Sequence, residues 1–370
     1  MILAPGMPHC LRIIGLAAAL LVCGGAQAAC IVTGPPDAPD RICALALSAS
    51  RVTALLPDGR TVELAPPTGL EPRAGCRLPD AGYLICGDTA AWVRPVQVAA
   101  QWRPVAGAPS QVRQAVGLGG NRLLLLYGGV ATAGGLSGAQ VGLYELTAGH
   151  TLAPLHIGVR SDANPRFLAV GELDDGPHAL IGVVTVAVFD RYPRLRPWLY
   201  ALAGERMTPA WLGTSFARPY ITAGFGDVDA TNAGDELCSL ELDADGRRLI
   251  TAYRRHGFVM EGVAQSGPGT LGDTLRTARI GPGEDLVCVW VGGATGQIVG
   301  YRMRSAGTGG LGALEPSLAT PELARPAAWA VTVDGDGPHA VVLSAQGALE
   351  RLQMRREAGV PVAIDSQSTL

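Results

Sequence analysis

The residues of this chain with the clearest potential for chemistry are carboxylates in glycine-containing turns. These turns read Gly226-Asp-Val-Asp-Ala-Thr-Asn-Ala-Gly-Asp-Glu-Leu237, Thr332-Val-Asp-Gly-Asp-Gly-Pro-His339 and Gly171-Glu-Leu-Asp-Asp-Gly-Pro-His178. Carboxylates at alternate positions of a tight turn can converge on one hard cation through their oxygen atoms. The turns therefore raise the hypothesis of a calcium site. In the alternative interpretation, the Asp side chains accept hydrogen bonds from nearby backbone amides without any metal.

A second candidate for function is a proline-stiffened stretch that combines arginines with aromatic residues. Its candidate binding residues are Arg191, Tyr192, Arg194, Arg196 and Trp198. Arginine and aromatic side chains at an exposed rim favour recognition of acidic or planar partners. The alternative is a solvated loop.

The sequence lacks the local signatures of several enzyme classes. We find no Gly-x-Ser-x-Gly nucleophile elbow, no HExxH and no P-loop. Glycosidases need two carboxylates facing each other across a cleft, and such a pair could come from distant positions of the chain. The sequence therefore leans away from catalysis without deciding the question.

The elements that must position these residues form a repeat. A short motif recurs as Ala115-Val-Gly117, Ala169-Val-Gly171, Phe225-Gly226, Ile280-Gly281 and Ala330-Val-Thr332. Successive third positions lie 54, 55, 55 and 51 residues apart. After each motif come a turn and an apolar run, namely Leu123–Leu126, Ala179–Ile181, Leu237-Cys238, Leu286–Val289 and Ala340–Leu343. A fixed period of this length with turn residues ahead of strand-like runs predicts an all-β fold, a β-propeller.

Two degenerate units precede the clear repeats, which begin near residue 113. Cys43 to Leu64 and Cys76 to Val98 each read as strand, turn and strand. Five clear and two faint units predict seven blades. Six blades result if the first unit completes the last blade, which would close the ring. We therefore expect a single propeller domain over residues 29–370, with degenerate blades at 30–110.

The acidic turns resemble those of the FG-GAP (integrin-α-like) and VCBS propeller repeats, from about residue 113 to the C-terminus. That resemblance implies calcium ligands at the matching acidic positions, which are Asp227, Asp229, Asp235, Asp334 and Asp336. The third clear repeat carries one additional residue relative to the usual loop. Leu124-Leu-Leu-Tyr-Gly-Gly129 followed by Tyr144 is similar, more weakly, to a kelch repeat.

The N-terminus predicts export. Arg12 precedes an apolar stretch from Ile13 to Val22, and Ala26-Gln-Ala28 supplies small residues for cleavage. Residues 1–28 are therefore expected to be a signal peptide, and the mature chain is expected to be secreted or periplasmic. Lipidation of Cys30 is the less favoured alternative. No later segment is long and apolar enough to be a membrane helix.

Export makes the cysteines of the mature chain disulfide candidates. The six are Cys30, Cys43, Cys76, Cys86, Cys238 and Cys288. Proximity in sequence favours Cys30–Cys43 and Cys76–Cys86. Cys238 and Cys288 occupy similar positions in adjacent repeats and are either a third bridge or two buried thiols.

Composition limits the partners. The 370-residue chain is 48% hydrophobic and 16% charged, with a formal net charge of -3. This balance argues against nucleic acid, which requires clustered cations. We therefore expect an exported, non-catalytic binding module for a protein or glycan. Two alternatives stay open. Polar side chains that converge in the central funnel would favour a hydrolase or lyase acting on an envelope polymer. A contiguous apolar patch on one side of the ring would favour a structural subunit of a surface assembly.

Overall fold

A computed structural model describes most of the chain from residue 30 onward, and all regular secondary structure in the described residues is β. The described residues are 30–33, 43–48, 50–78, 82–96, 99–132, 135–158, 163–172, 180–187, 195–212, 218, 220–232, 234–256, 259–281, 283–305 and 310–356. The predicted signal peptide lies outside these ranges. Within them, no helix has the length and apolar character needed to cross a membrane.

The first three blades are antiparallel sheets of four strands. Blade 1 contains β1 (Cys30–Thr33), β2 (Ala44–Ser48), β3 (Arg51–Leu55) and β4 (Thr61–Leu64). Blade 2 contains β5 (Ala74–Leu78), β6 (Gly82–Cys86), β7 (Ala90–Val96) and β8 (Ala99–Val105). Blade 3 contains β9 (Val112–Gly117), β10 (Arg122–Tyr127), β13 (Gln140–Leu146) and β14 (Leu152–Ile157), with a hairpin of β11 (Val130–Thr132) and β12 (Gly135–Ser137) inserted.

The remaining blades follow the same up-and-down order. Blade 4 contains β15 (Ala163–Gly171), β16 (Leu180–Ala187), β17 (Leu195–Ala203) and β18 (Arg206–Leu212). Blade 5 contains β19 (Tyr220–Gly226), β20 (Glu236–Leu242), β21 (Arg248–His256) and β22 (Val259–Gln265). Blade 6 contains β23 (Leu271–Ala278), β24 (Leu286–Gly292), β25 (Thr295–Arg304) and β26 (Gly312–Ala319), with the short β27 (Leu323–Ala324) paired to β25. Blade 7 contains β28 (Ala328–Asp334), β29 (Gly337–Leu343) and β30 (Leu349–Gln353).

The apolar runs of the five clear repeats lie in strands, as predicted, and each of these strands is the second of its blade. Leu123 to Leu126 are all buried in β10, and Leu286 to Val289 are all buried in β24. A strand that is apolar on both faces must be covered on both faces. Here the cover is the neighbouring blade on each side, because separate core clusters fill the successive boundaries between blades.

The blades close into a ring. Their first strands contact one another in the order β1, β5, β9, β15, β19, β23, β28 and back to β1. The all-β propeller class is therefore confirmed. In the six-blade alternative the first unit would complete the last blade, but β1 pairs with β2, and β1 to β4 form a sheet of their own.

Blades 5 and 6 are joined more closely than the others. Their outermost strands, β22 and β26, pair in parallel, with Ala264 opposite Gly312 and Gln265 opposite Ala313. The strands of both blades therefore belong to one continuous hydrogen-bonded sheet.

The six cysteines are all free thiols in this structure. The predicted Cys30–Cys43 bridge is wrong for this register, because Cys30 lies opposite Leu47 on β2. At about 3.4 Å per residue, Cys43 is displaced from Cys30 by roughly 13 Å along the strands. A disulfide requires Cα atoms within about 4.4 to 6.8 Å.

The other two predicted cysteine pairs differ from each other, because the fold brings Cys76 near Cys86 and separates Cys238 from Cys288. Cys76 lies opposite Leu84 and Cys86 opposite Ala74, so these two thiols are diagonal neighbours in one core cluster. Cys238 packs in the core between blades 5 and 6, whereas Cys288 packs in the core cluster on the other side of blade 6. The interpretation of Cys238 and Cys288 as buried thiols matches this arrangement.

Candidate functional site

A pocket of about 500 Å³ lies at one mouth of the central channel. It is on the face of the ring where the first strand of each blade ends and the second begins. Gly117 and Gly171 end the innermost strands β9 and β15, and Arg279 follows the end of β23. The lining residues come from blades 3 to 6 and are Gly117, Leu118, Arg122, Val170, Gly171, Glu172, Leu202, Gly204, Asp235 and Arg279.

Asp235 forms the inner wall of the pocket and binds two other blades. One carboxylate oxygen, Oδ2, accepts a hydrogen bond of 2.8 Å from the backbone amide of Glu172 in blade 4. The other, Oδ1, accepts from Nη2 of Arg279 in blade 6 at 2.7 Å. The amide of Asp235 in turn donates to the carbonyl oxygen of Glu172. Burial raises the pKa of Asp235, while the amide of Glu172 and the charge of Arg279 act in the opposite direction.

Asp285 repeats this arrangement one blade further on. Its Oδ2 accepts from the amide of Asp227 at 3.0 Å, and its Oδ1 accepts from the amide of Ile280 at 2.9 Å. Nε of Arg279 lies 3.7 Å from the same Oδ2. Arg279 is 68% exposed, whereas Asp235 is 6% and Asp285 2% exposed. Two buried carboxylates therefore fix the guanidinium of Arg279 at the surface of the pocket.

Arg122 and Glu172 face the pocket with fewer restraints. Nη1 of Arg122 donates to the carbonyl oxygen of Gly204 at 2.9 Å, and this is the one hydrogen bond of its guanidinium among the described residues. Glu172 is exposed, and the contacts described for it, to Asp235, use its backbone. A cation of blade 3 and an anion of blade 4 thus border the same cavity.

The acidic turn of the third clear repeat is organised by hydrogen bonds. Asp229 accepts from the amide of Thr231 at 3.0 Å and from its hydroxyl at 2.7 Å. Asp235 bonds instead to Glu172 and Arg279, and Asp227 contributes its backbone amide to the contact with Asp285. The described residues contain no group of three or more His, Cys, Asp or Glu side chains placed to hold a metal ion. Calcium at this turn stays a prediction from the sequence alone.

Glu236, which the sequence did not single out, is the centre of that turn. It is fully buried at the start of β20. Its Oε2 accepts from the amides of Val228 at 3.0 Å and Asp229 at 3.1 Å, and its Oε1 accepts from Nδ2 of Asn232 at 2.9 Å. Burial raises its pKa to about 7 despite these three donors.

In the acidic turn of the last repeat, the carboxylate of Asp334 also contacts other groups of the protein. Asp334 forms an ion pair with Arg351, accepts from the amide of Asp336 at 2.9 Å and lies 3.5 Å from Nδ1 of His339. Arg351 and His339 contact each other at 3.2 Å. These contacts stabilise one end of blade 7.

The predicted binding loop is described only at its end. Arg191, Tyr192 and Arg194 lie outside the described residues. Arg196 and Trp198 lie in β17, where they pair with Thr185 and Val183. Trp198 lies in a strand, half-buried against the core cluster between blades 3 and 4, and not in the predicted loop; its part in binding stays a prediction.

Sequence reasoning missed Arg122, Glu172 and Arg279. Glu172 directly follows one repeat motif and Arg279 directly precedes another. Because the motifs end on one face of the ring, the residues flanking them meet at the channel mouth. Attention to these flanking positions would have found Glu172 and Arg279, whereas Arg122 lies at the start of the following strand, β10.

Comparison with known proteins supports the fold. The chain matches no known protein-family profile and no curated protein sequence. Among solved structures, it is similar to a Bacteroides uniformis protein provisionally named a 6-phosphogluconolactonase, with a TM-score of 0.50, 11% identity and coverage of 89% of this chain and 92% of that one. It is also similar to the WD40 β-propeller domain of Doa1, with a TM-score of 0.50, 12% identity and coverage of 89% and 92%. The chain is a β-propeller with a polar pocket at one mouth of its channel.

Proposed function

We propose that this protein is an exported, non-catalytic binding module that holds a partner protein at the channel-mouth pocket. The observation that carries the proposal is the convergence of Arg122, Glu172, Asp235 and Arg279, from four different blades, on one cavity. A concave site with a few placed polar groups and apolar walls is the usual form of a binding pocket. The export step rests on the N-terminal sequence.

The construction of the pocket wall supports binding. Asp235 and Asp285 fix the turns of the preceding blades by backbone hydrogen bonds, and both hold Arg279. A site whose side chains are already fixed loses little conformational entropy when the partner arrives. The side of the pocket formed by Asp235 and Arg279 is therefore held in place before the partner binds.

A hydrolase or lyase acting on an envelope polymer is the second candidate, since polar groups do converge in the funnel. A glycosidase of this kind needs a pair of carboxylates that are free to exchange protons or attack the substrate. Asp235 has both oxygens occupied, by the amide of Glu172 and by Arg279. Of the two carboxylates in the pocket, Glu172 alone is exposed, and binding is the stronger candidate.

A photo-crosslinker placed in the pocket tests the proposal. We would replace Leu118, which lines the pocket, with p-benzoylphenylalanine in the full chain, and irradiate it in envelope extract of its native cell. The matched control carries the same group at Val259, an exposed residue of blade 5 outside the pocket lining. We expect a discrete adduct from position 118 that is absent from position 259.

Arginine variants show whether the adduct depends on the pocket. Arg279→Gln is expected to reduce the yield at position 118, whereas Arg304→Gln, an exposed arginine of blade 6 outside the pocket, is expected to leave it unchanged. Equal capture at positions 118 and 259, or no adduct at all, would overturn the proposal. Hydrolysis of envelope polysaccharide by the unmodified chain would support the enzyme instead.

A further inference from the structure

Two side chains of opposite charge border the pocket, and neither forms an ion pair with another described residue. The guanidinium of Arg122 donates one hydrogen bond, to the carbonyl oxygen of Gly204, and forms no ion pair among the described residues. Glu172 uses its backbone, not its carboxylate, in the contacts to Asp235. Arg279 differs from both, because Asp235 and Asp285 neutralise it.

We propose that the ligand of this pocket is a mixed-charge peptide segment, with an acidic side chain on Arg122 and a basic side chain on Glu172. This inference rests on the proposed function and specifies the chemistry of the partner. An arginine keeps four further hydrogens after one bond and matches a carboxylate in two-point geometry. An exposed carboxylate accepts from lysine or arginine in the same way.

Charge complementarity favours a peptide over a uniformly charged polymer. A polyanion such as an acidic polysaccharide would meet Glu172 in the pocket and the buried carboxylates of Asp235 and Asp285 close to its wall. A polycation would meet Arg122, whose charge has no acidic partner among the described residues. Like charges brought together in this way act against binding of the wrong partner. A segment carrying both signs satisfies each group.

The size and walls of the cavity also fit a peptide. A volume of about 500 Å³ lies within the usual range of ligand pockets. Leu118, Val170 and Leu202 supply apolar surface beside the charged groups. Aliphatic parts of peptide side chains can pack there while their charged ends reach Arg122 and Glu172.

Selection from a displayed library of random ten-residue peptides tests the inference. The unmodified chain should enrich peptides that carry an acidic and a basic residue at a constant separation. Arg122→Glu and Glu172→Arg should each weaken a selected peptide roughly tenfold, since a hydrogen bond to a charged group is lost and like charges meet. The double variant should bind the same peptide with its two charges exchanged.

The control is a charge swap elsewhere on the ring. Arg304 and Glu315 form an exposed ion pair of 3.4 Å on blade 6, with side chains 76% and 52% exposed. Arg304→Glu with Glu315→Arg should leave the selected peptides and their affinities unchanged. Unchanged thermal melting of all variants would exclude misfolding as the cause of any loss.

The outcomes separate the two proposals. The mixed-charge inference would be overturned if the enriched peptides lacked paired charges. It would also be overturned if the double variant, Arg122→Glu with Glu172→Arg, bound the original peptide as tightly as the unmodified chain does. If the crosslinker at Leu118 still captures a partner, the binding function survives that result. Loss of both signals would reject the binding function as well.

Discussion

Asp227 and Asp285 are joined twice across the boundary between blades 5 and 6. The amide of Asp227 donates to Oδ2 of Asp285 at 3.0 Å, and the amide of Asp285 donates to the carbonyl oxygen of Asp227 at 2.9 Å. Glu172 and Asp235 repeat this reciprocal pair between blades 4 and 5. In both cases the carboxylate that precedes a second strand fixes the turn of the blade before it.

Replacing Asp285 should therefore destabilise the ring. Asp285→Ala leaves the amides of Asp227 and Ile280 without their acceptor in a nearly buried position. Each buried donor left unsatisfied costs on the order of 1–3 kcal/mol. We expect a loss of about 2–4 kcal/mol in the free energy of unfolding, measured by urea denaturation.

The control is Asp273→Ala, which removes an ion pair to Arg325. Because the Asp273 side chain is 47% exposed, this substitution should change the free energy of unfolding by less than about 1 kcal/mol. Equal effects of the two substitutions would contradict the role of Asp285.

Glu236 should make stability depend on pH. Its pKa is raised from 4.5 to about 7 in the folded chain, so the folded state holds this proton more tightly than the unfolded state. The stabilisation that comes from the protonated Glu236 side chain is fully present below pH 4.5 and is lost as pH rises through about 7. Between pH 4.5 and about pH 7, the free energy of unfolding of the unmodified chain should therefore fall by on the order of 3 kcal/mol relative to that of the Glu236→Gln variant. Denaturant midpoints of both proteins at pH 4.5, 6 and 7.5 measure this difference, and parallel pH profiles would show that Glu236 does not titrate as stated.

Gly171 should tolerate no side chain. A Cβ added there would lie 2.2 Å from Cβ of Phe225 and 2.9 Å from Oδ2 of Asp235, both in the neighbouring blade. Gly171→Ala must therefore push blades 4 and 5 apart, at a cost of about 1–3 kcal/mol. Gly335→Ala, which meets no atom within 4 Å, is the control. Thermal melting of both variants measures the effect, and a Gly171→Ala chain as stable as the control would place the two blades further apart than described.

Non-reducing peptide mapping should find no linkage between Cys30 and Cys43. The register of β1 on β2 holds these residues beyond disulfide reach. Cys238 and Cys288 are fully buried and should resist alkylation until the chain is unfolded. Burial raises the pKa of Cys288 to about 12, which keeps its thiol protonated and unreactive. A peptide linking Cys30 to Cys43 would show that blade 1 has a different register.

The repeat and its strands could be predicted because they depend on local pattern. The run Leu123–Leu126 lies in β10, and Pro57-Asp-Gly59 forms the turn between β3 and β4. Gly59 takes a φ of 82°, which glycine adopts without strain. These features need no knowledge of distant residues, and the predictions based on them are confirmed.

The pocket could not be predicted in the same way. Arg122 and Arg279 are far apart in sequence, and closure of the ring brings them to one cavity. The acidic turn of the third clear repeat lies between β19 and β20, where the sequence predicts it, but sequence could not separate metal ligands from backbone acceptors. That distinction depends on which amide each oxygen meets, and for Asp235 and Asp285 the amides of Glu172 and Asp227 belong to other blades.

The parallel pairing of β22 with β26 has a consequence for how the ring opens. Blades 5 and 6 share one hydrogen-bonded sheet, and the reciprocal amides of Asp227 and Asp285 join the same two blades near the channel. Separating them breaks bonds at the rim and at the centre together. Amide protons in both blades should therefore exchange with solvent in a single cooperative event. Blades 5 and 6 then unfold together as one unit, which contains two sequence repeats instead of one.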